Sequence, residues 1–199
     1  MKLKIPFYQL TSKFNCGPIA LKMAFEYLSN SKELKLIEEK TGINEGKGVL
    51  TIDLAIAAKE LGFNVDFYSK QLYFNEEHLK KEFYQQHADI TSTNDSIKIV
   101  NKAREIGVNL HEETMTLEEL ISKINKKSVI IALVDWNVIS GKTGYYGHFM
   151  PIIGYDKKSV YVHNQSFTTP QESMKIKREL FDKARTSDGT DEDLVIIYL

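Results

Sequence analysis

Cysteine is nearly absent from this sequence, with one among 199 residues. A single cysteine cannot form an internal disulfide, so the fold is not expected to depend on an oxidising compartment. The same scarcity excludes zinc sites built on paired thiolates, and the five histidines show no spacing typical of metal ligands. We therefore expect a protein that needs no disulfide, no metal and no organic cofactor.

Long hydrophobic runs and an excess of charge of one sign are also absent. The longest apolar run, from Val129 to Val134, has six residues, whereas a membrane span needs about 18 or more. The first six residues lack the apolar stretch of a signal peptide. A net charge of −1 gives no electrostatic reason to bind nucleic acid or an anionic membrane. We expect a soluble, cytoplasmic protein whose oligomeric state is unknown.

The composition that remains is that of an ordinary globular protein, with 42% hydrophobic and 27% charged residues. The length predicts a single domain over residues 1–199, large enough to bury a core without disulfides. The first half has mainly helical patterns and the second half mainly strand patterns. We therefore predict an α+β fold in which a helix-rich N-terminal half packs on a mostly antiparallel C-terminal sheet.

Apolar periodicity, capping residues and turn residues predict the order of the elements. Helices are expected over Cys16–Leu28, Lys32–Lys40, Thr51–Leu61, Asn75–Gln86, Asp95–Ile106, Leu117–Ile124 and Pro170–Ala184. Strands are expected over Ile5–Leu10, Phe63–Tyr68, Val108–His111, Val129–Asp135, His148–Tyr155, Ser159–Gln165 and Leu194–Leu199. The stretches Asn137–Gly147 and Thr186–Asp193 are predicted loops, and Gly46-Lys47-Gly48 is a predicted turn.

The one cysteine, Cys16, stands at the head of the first predicted helix, within Asn15-Cys16-Gly17-Pro18. A thiol becomes nucleophilic when it ionises, and a helix N-terminus favours the thiolate. The free N–H groups of the first turn can face an oxyanion, and Gly17 leaves room for a substrate carbonyl. A lone cysteine in an apolar helix more often only packs, but this context favours a nucleophile.

His148 opens a predicted strand and is a candidate base for Cys16. If a three-residue turn joins this strand to the next one, Gly154 pairs with Lys158 and His148 lies opposite Asn164. The side-chain carbonyl of Asn164 would then accept the Nδ1 proton of His148, which leaves Nε2 to face the thiol. Ordinary turn formation is the competing interpretation of Asn164.

Further candidates surround this pair. Gln9, seven residues before the cysteine, can supply a second oxyanion donor through its side-chain amide, although a surface glutamine needs no function. His163 is expected to point to the opposite face of its strand and to have a structural or surface role. The aromatic residues Trp136, Tyr145 and Tyr146 either line a substrate cleft or only pack.

Taken together, these motifs resemble the C39-like peptidases, papain-fold cysteine peptidases related to the bacteriocin-leader processing domains of certain exporters. The residues that carry the resemblance are Tyr8-Gln9, Asn15-Cys16-Gly17-Pro18-Ile19-Ala20-Leu21-Lys22-Met23, Gly147-His148-Phe149, Ile153-Gly154-Tyr155-Asp156 and Val160-Tyr161-Val162-His163-Asn164. The resemblance covers roughly residues 5–167. It implies a papain-like α+β fold with Cys16 as nucleophile, His148 as base and Gln9 in the oxyanion hole.

The chain departs from that family in two respects. The third triad member is usually Asp followed by Pro, whereas this sequence has Asn164-Gln165; papain itself is known for an Asn in this role. Exporter-linked members carry transmembrane and nucleotide-binding domains that this sequence lacks. Cleavage of a double-glycine bacteriocin leader is therefore not expected.

The sequence thus predicts a stand-alone cysteine hydrolase, a peptidase or amidase that acts on a peptide or amide substrate. Its predicted catalytic residues are Cys16, which forms an S-acyl intermediate, and His148, Asn164 and Gln9. Two alternatives stay open. The same site can transfer an acyl group to an amine or thiol, as in an acyltransferase or transglutaminase-like enzyme. Alternatively, the protein is a peptidase-like module that binds peptides or partner proteins without cleaving them.

Overall fold

The computed structural model of the protein describes residues 1–43, 47–80 and 92–199. The helices in these ranges are α1 (Cys16–Tyr27), α2 (Leu34–Thr41), α3 (Thr51–Glu60), α4 (Glu76–Lys80), α5 (Thr93–Glu105), α6 (Leu117–Ser122), α7 (Trp136–Ser140) and α8 (Arg178–Arg185). The strands are β1 (Asn64–Ser69), β2 (Asn109–Glu112), β3 (Ser128–Asp135), β4 (Gly147–Tyr155), β5 (Ser159–Asn164), β6 (Gln171–Lys177) and β7 (Leu194–Tyr198).

The seven strands form one sheet in the order β2-β1-β7-β3-β4-β5-β6. Neighbouring strands are antiparallel, except that β1 and β2 run parallel. The fold is α+β, as the sequence predicted. However, the sheet is not confined to the C-terminal half, because β7 pairs with both β1 and β3 and so joins the strands of the two halves.

Helix α1 lies at the centre of the helical part. It contacts β4 of the sheet and the neighbouring helices α2 and α3. Apolar residues occupy most of its positions, and Phe25 stacks on Phe63 with 4.2 Å between ring centroids. Burying such a side chain contributes roughly 1.5–3 kcal/mol. The contact of α1 with β4 places the first residue of the helix beside the start of that strand.

Most predicted elements are confirmed within one to three residues, but three predictions are wrong. Ile5–Leu10 forms no regular strand. The predicted loop Asn137–Gly147 begins with most of α7. The predicted helix Pro170–Ala184 is strand β6 followed by helix α8. Parts of the predicted helix Asn75–Gln86 and of the predicted turn at residues 46–48 lie outside the described residues.

The error at Pro170–Ala184 has a physical explanation. The helical periodicity came from Leu180, Phe181 and Ala184, which are all in α8. The residues before them alternate in burial, with Ile176 2% exposed between exposed lysines, because β6 pairs with β5 at the sheet edge. Tertiary pairing of this kind overrides local propensity.

The described helices are too short or too polar to cross a membrane.

Candidate active site

Cys16 is the first residue of α1, and Asn15 holds the chain that leads into it. The Asn15 carbonyl accepts the first helical hydrogen bond from the Ile19 N–H at 3.0 Å. The fully buried Asn15 side chain does not cap the helix. Instead, its Nδ2 donates to Thr11 Oγ1 at 2.7 Å and to Glu38 Oε1 at 3.0 Å. The entry loop is therefore tied to α2, which fixes the position of the thiol.

Gly17 has a packing role that the sequence did not reveal. A Cβ atom at this position would lie 2.7 Å from Leu54 Cδ2 and 2.9 Å from Val49 Cγ2. Both distances are shorter than real Cβ atoms tolerate, so Gly17 allows α1 to approach α3 closely. The expectation that Gly17 leaves room for a substrate carbonyl stays a prediction.

The Cys16 thiol is only partly exposed, and it lies beside strand β4. Loss of hydration raises the pKa of this thiol above its usual value. Backbone N–H groups of Phe149, Gly17 and Cys16 itself act in the opposite direction, because they favour the thiolate. Phe149 directly follows His148, so the sulfur lies next to the segment that carries the candidate base.

His148 and Asn164 meet directly, with 3.2 Å between His148 Nε2 and Asn164 Oδ1. Two other contacts fix the orientation of the amide: Asn164 Nδ2 donates to the Thr169 carbonyl at 2.9 Å, and Oδ1 accepts from the Ser166 N–H at 3.2 Å. Because Oδ1 only accepts, Nε2 carries the proton and Nδ1 is left with a free lone pair. The sequence predicted the opposite assignment of the two ring nitrogens, and that prediction is wrong.

The strand register that motivated the pair is also wrong. Gly154 pairs with Tyr161, not with Lys158, and the register of β4 on β5 shifts between Ile152 and Gly154. A second irregularity separates Val162 from Asn164 on the other side of β5. The two side chains therefore meet across an irregular ladder and not as a directly opposed pair.

The His148 ring is buried, with 4% of the residue exposed, and this burial lowers its pKa to about 4. The hydrogen bond that His148 donates to Asn164 acts against this shift but is outweighed. Trp136 packs edge-on against the ring, with 6.1 Å between centroids. At neutral pH the imidazole is therefore uncharged, and its free nitrogen can accept a proton. Among the described contacts, thiol and imidazole share no direct hydrogen bond.

The two glutamines near the site have roles that the sequence did not separate. Gln9 is exposed and its Nε2 donates to the Phe167 carbonyl at 3.0 Å, so its predicted oxyanion role stays a prediction. Gln165 is fully buried, and its Nε2 donates to the backbone carbonyls of Cys16, at 3.1 Å, and Phe149. It thus links α1 to β4. No pattern in the sequence marks Gln165 for this role.

Two cavities border these residues. The first, of about 70 Å³, is lined by Cys16, Gly48, Val49, Leu50, Thr51, Ile52, Phe67, Ser69, Gln71, Leu72, Phe74, Leu133, Gly147, Phe149 and Asp193. The second, of about 190 Å³, is lined by Leu10, Lys13, Trp136, Tyr146, His148, Asn164, Ser166, Phe167 and Thr168. The nucleophile candidate faces one cavity and the candidate base faces the other. The expected cleft-lining role thus fits Trp136 and Tyr146.

Two other candidate residues are structural. His163 is buried, and its Nε2 donates to the Ile5 carbonyl at 3.0 Å while Nδ1 accepts from the Ser173 N–H at 3.2 Å. Tyr145 donates its hydroxyl proton to the Gly189 carbonyl at 2.8 Å. Within residues 1–43, 47–80 and 92–199, no three His, Cys, Asp or Glu side chains come together as metal ligands.

Solved structures with a similar fold are peptidase domains. The peptidase domain of Streptococcus ComA, a bi-functional ABC transporter involved in quorum sensing, has a TM-score of 0.58 at 13% identity, with 98% of each chain covered. A protein described as a C39-like peptidase from Bacillus anthracis has a TM-score of 0.58 at 15% identity, covering 100% of this chain and 98% of that one. A double glycine motif protease from an AMS/PCAT transporter has a TM-score of 0.54 at 16% identity, covering 99% and 93%. These likenesses establish the papain-like fold.

Sequence comparison leads to a different family name. "Guanylyl cyclase 1" of Arabidopsis thaliana is 22% identical over 215 residues, which span 99% of this chain and 76% of that protein. A family model described as guanylylate cyclase matches residues 5–197. The resemblance to C39-like peptidases was therefore right about the fold but did not give the family. The chain belongs to the guanylylate cyclase family.

Proposed function

We propose that this protein is a cysteine-dependent hydrolase of peptide or amide bonds, acting through a thioester on Cys16. The observation that carries the proposal is the contact of His148 Nε2 with Asn164 Oδ1, because it leaves Nδ1 unprotonated. A nucleophile and a base that is itself oriented by a third group form the general pattern of such sites. The fold is shared with peptidase domains, which makes this chemistry accessible to it.

The reaction starts from a neutral thiol and a neutral imidazole, since burial raises the pKa of Cys16 and lowers that of His148. As the sulfur attacks the substrate carbonyl, Nδ1 takes the thiol proton. Backbone N–H groups at the start of α1 and the Gln9 amide hold the oxyanion. The C–N bond then breaks, the imidazolium returns its proton to the leaving amine, and water hydrolyses the thioester with the same base.

An activated ester tests this proposal without knowledge of the natural substrate. With p-nitrophenyl acetate, wild-type protein should release p-nitrophenol and carry an acetyl group on Cys16, which intact-mass and peptide mass spectrometry detect. Acetylation at pH 7 should be about 10²–10⁴-fold slower in His148→Ala, the usual contribution of a general base. Acetylation should be slowed less in Asn164→Ala, because this variant keeps the imidazole and loses only the group that orients it. In Cys16→Ala, no acetyl group should appear at residue 16.

Equal acetylation in wild type and His148→Ala would reject the hydrolase and leave the peptidase-like binding module. If added hydroxylamine or another amine consumes the thioester faster than water, the enzyme is an acyltransferase. Lys142→Ala is the control variant, because Lys142 is exposed and lines neither cavity.

The family match favours a second candidate function, a guanylyl cyclase activity. That reaction removes the proton of the GTP 3′-hydroxyl, joins the oxygen to the α-phosphorus and releases pyrophosphate. The neutral His148 imidazole is the group in the described site that can take such a proton. The test is to incubate the protein with GTP and Mg²⁺ or Mn²⁺ and measure cyclic GMP by mass spectrometry. Product that persists in Cys16→Ala but not in His148→Ala would favour the cyclase over the hydrolase.

A further inference from the structure

We propose that the cavity beside Cys16 is a subsite for a cationic group of the substrate, an amine or guanidinium at the end of an apolar stem, and that Asp193 recognises it. This inference rests on the proposed function in one respect, which is that Cys16 is the residue that receives the acyl group. It goes beyond that function because it names the kind of side chain that the acyl group carries.

The Asp193 carboxyl group is buried, and the hydroxyl groups of Thr51 and Ser69 lie beside it. Residue exposure is 9%, and Oδ1 has no partner of normal geometry. The backbone on either side of the side chain is fixed, since its N–H donates to the Thr190 carbonyl at 3.0 Å and its carbonyl accepts from the Leu133 N–H at 3.1 Å.

The neighbouring hydroxyl groups compensate the Asp193 carboxylate only in part. The buried hydroxyl oxygen of Thr51 also lacks a partner of normal geometry. Both residues line the cavity, as does Ser69. Ser69 already donates its hydroxyl proton to the Gln71 carbonyl at 2.9 Å, so of these two neighbours only Thr51 can donate to Asp193. A buried carboxylate with one hydroxyl donor is under-paired, which points to a missing polar ligand.

The missing ligand should be positively charged. No lysine or arginine is among the described residues that line this cavity, and nearby Asp191 adds further negative charge. Burial raises the pKa of Asp193 to about 7, which shows that its charged form is poorly compensated in the free protein. A bound ammonium or guanidinium would provide the compensation and donate to the orphaned oxygen.

The rest of the cavity is suited to an apolar stem. Its walls include Val49, Leu72, Phe74, Leu133 and Phe149. The volume of about 70 Å³ is several times the roughly 10–15 Å³ that holds one water on the same measure, so it has room for a stem and its head group. Because Cys16 lines the same space, an acyl group on its sulfur can extend a lysine-like or arginine-like side chain directly to Asp193.

Two matched electrophiles test this subsite at pH 8, where Asp193 is ionised. They are the chloromethyl ketones of Nα-acetyl-lysine and Nα-acetyl-norleucine, which differ only by the terminal amine. Wild-type protein should alkylate Cys16 about 10-fold or more faster with the lysine probe, because a buried charge pair forms. The preference should disappear in Asp193→Asn and persist in Asp191→Asn, which removes the same charge from a residue that does not line the cavity.

Equal rates with the two probes in wild type, or a lysine preference that survives in Asp193→Asn, would overturn the subsite. A second measurement keeps this result separate from the proposed function. Nα-acetyl-lysine methylamide and its norleucine counterpart are titrated by NMR into Cys16→Ala, which cannot react. Preferential binding of the lysine compound that Asp193→Asn abolishes supports the subsite even if Cys16 proves unreactive. Equal binding of the two compounds overturns it even if Cys16 is a competent nucleophile.

Discussion

Asn164 makes three hydrogen bonds, and together they decide which nitrogen of His148 carries the proton. The sequence predicted that the two residues meet, since their types and chain order are those of a cysteine hydrolase. It could not predict the ring nitrogen, because a histidine offers two nitrogens about equally suited to an amide oxygen. Only the contacts with Thr169 and Ser166, which lie beyond the strand, orient the amide.

The buried imidazole of His148 should make the protein less stable in acid. Its pKa is about 4 in the folded protein and near 6.5 in an unfolded chain. Between these values the unfolded chain binds the additional proton, so the free energy of unfolding falls as the pH is lowered. From pH 7.5 to pH 5, this residue should cost about 2 kcal/mol. Urea unfolding of wild type and His148→Gln at both pH values measures the effect.

His148→Gln lacks the imidazole and so lacks this pH dependence. The free energy of unfolding of wild type, relative to that of the variant, should therefore fall by about 2 kcal/mol from pH 7.5 to pH 5. A difference between them that is the same at pH 5 and pH 7.5 would show that the imidazole is not held neutral by burial.

Asp193 should destabilise the protein at neutral and alkaline pH. Its pKa is about 7 in the folded protein and near 3.8 when unfolded, so the folded state binds the additional proton between these values. The free energy of unfolding attributable to this group therefore falls as the pH rises from 4 to 7. Asp193→Asn should be more stable than wild type at pH 8 by about 2–4 kcal/mol.

The same comparison at pH 4.5 is the internal control: the folded-state carboxyl is protonated there while most of the unfolded-state carboxyl is ionised, so the gap should shrink to about 1 kcal/mol. Thermal unfolding at the two pH values measures both effects. A variant that is less stable than wild type at pH 8 would mean that the contacts of the carboxylate with its neighbours already compensate its charge, which leaves no need for a cationic ligand.

Strands β4 and β5 show why element boundaries were easier to predict than pairing. Alternation placed both strands correctly, with β4 observed over Gly147–Tyr155 and β5 over Ser159–Asn164. The register also depends on the turn length and on any bulge. Gly154 inside the predicted strand is a residue that often marks a bulge, but it does not give the size or direction of the shift in pairing. Gly154 has a φ of +154°, and a Cβ there would clash with the Met1 carbonyl oxygen. The irregularity thus reflects contact with the N-terminal segment, far away in the sequence.

The close approach of α1 to α3 makes Gly17 sensitive to any added atom. Gly17→Ala should destabilise the protein by about 1–3 kcal/mol, the usual cost of overpacking, although alanine is the better helix former. Denaturant unfolding of a double-mutant cycle with Leu54→Ala isolates the cause. Because Leu54 provides the nearest atom, at 2.7 Å, Gly17→Ala should cost less in the Leu54→Ala background. An unchanged cost would mean that the helices do not meet at this glycine.

At the scale of the whole molecule, the fold brings residues from the two ends of the chain together. Cys16 lies on α1, whereas His148 and Asn164 lie on β4 and β5, and α1 packs on β4. The sequence predicted this arrangement because the motifs for the two sides are local and specific in combination. It did not predict that β1 and β2 extend the same sheet, because strand order depends on contacts among distant segments.

The family name could not be predicted from these motifs either. Proteins that share a fold and a set of site residues can carry out different reactions, so the reaction must be argued from the site. Here the peptidase domains share the fold at 13–16% identity, while the guanylylate cyclase family covers residues 5–197. The activity therefore depends on whether Cys16 and His148 act as one unit.

The rate of Cys16 alkylation by iodoacetamide tests that claim most directly. It is measured by intact mass at pH 7 in wild type, Asn164→Ala and His148→Ala, with Lys142→Ala as the control. The protein has one cysteine, so every adduct reports on this site. If Nδ1 takes the thiol proton, wild type and Lys142→Ala should react alike, Asn164→Ala more slowly, and His148→Ala about 10²-fold more slowly. The same slow rate in all four proteins would contradict a working nucleophile and base.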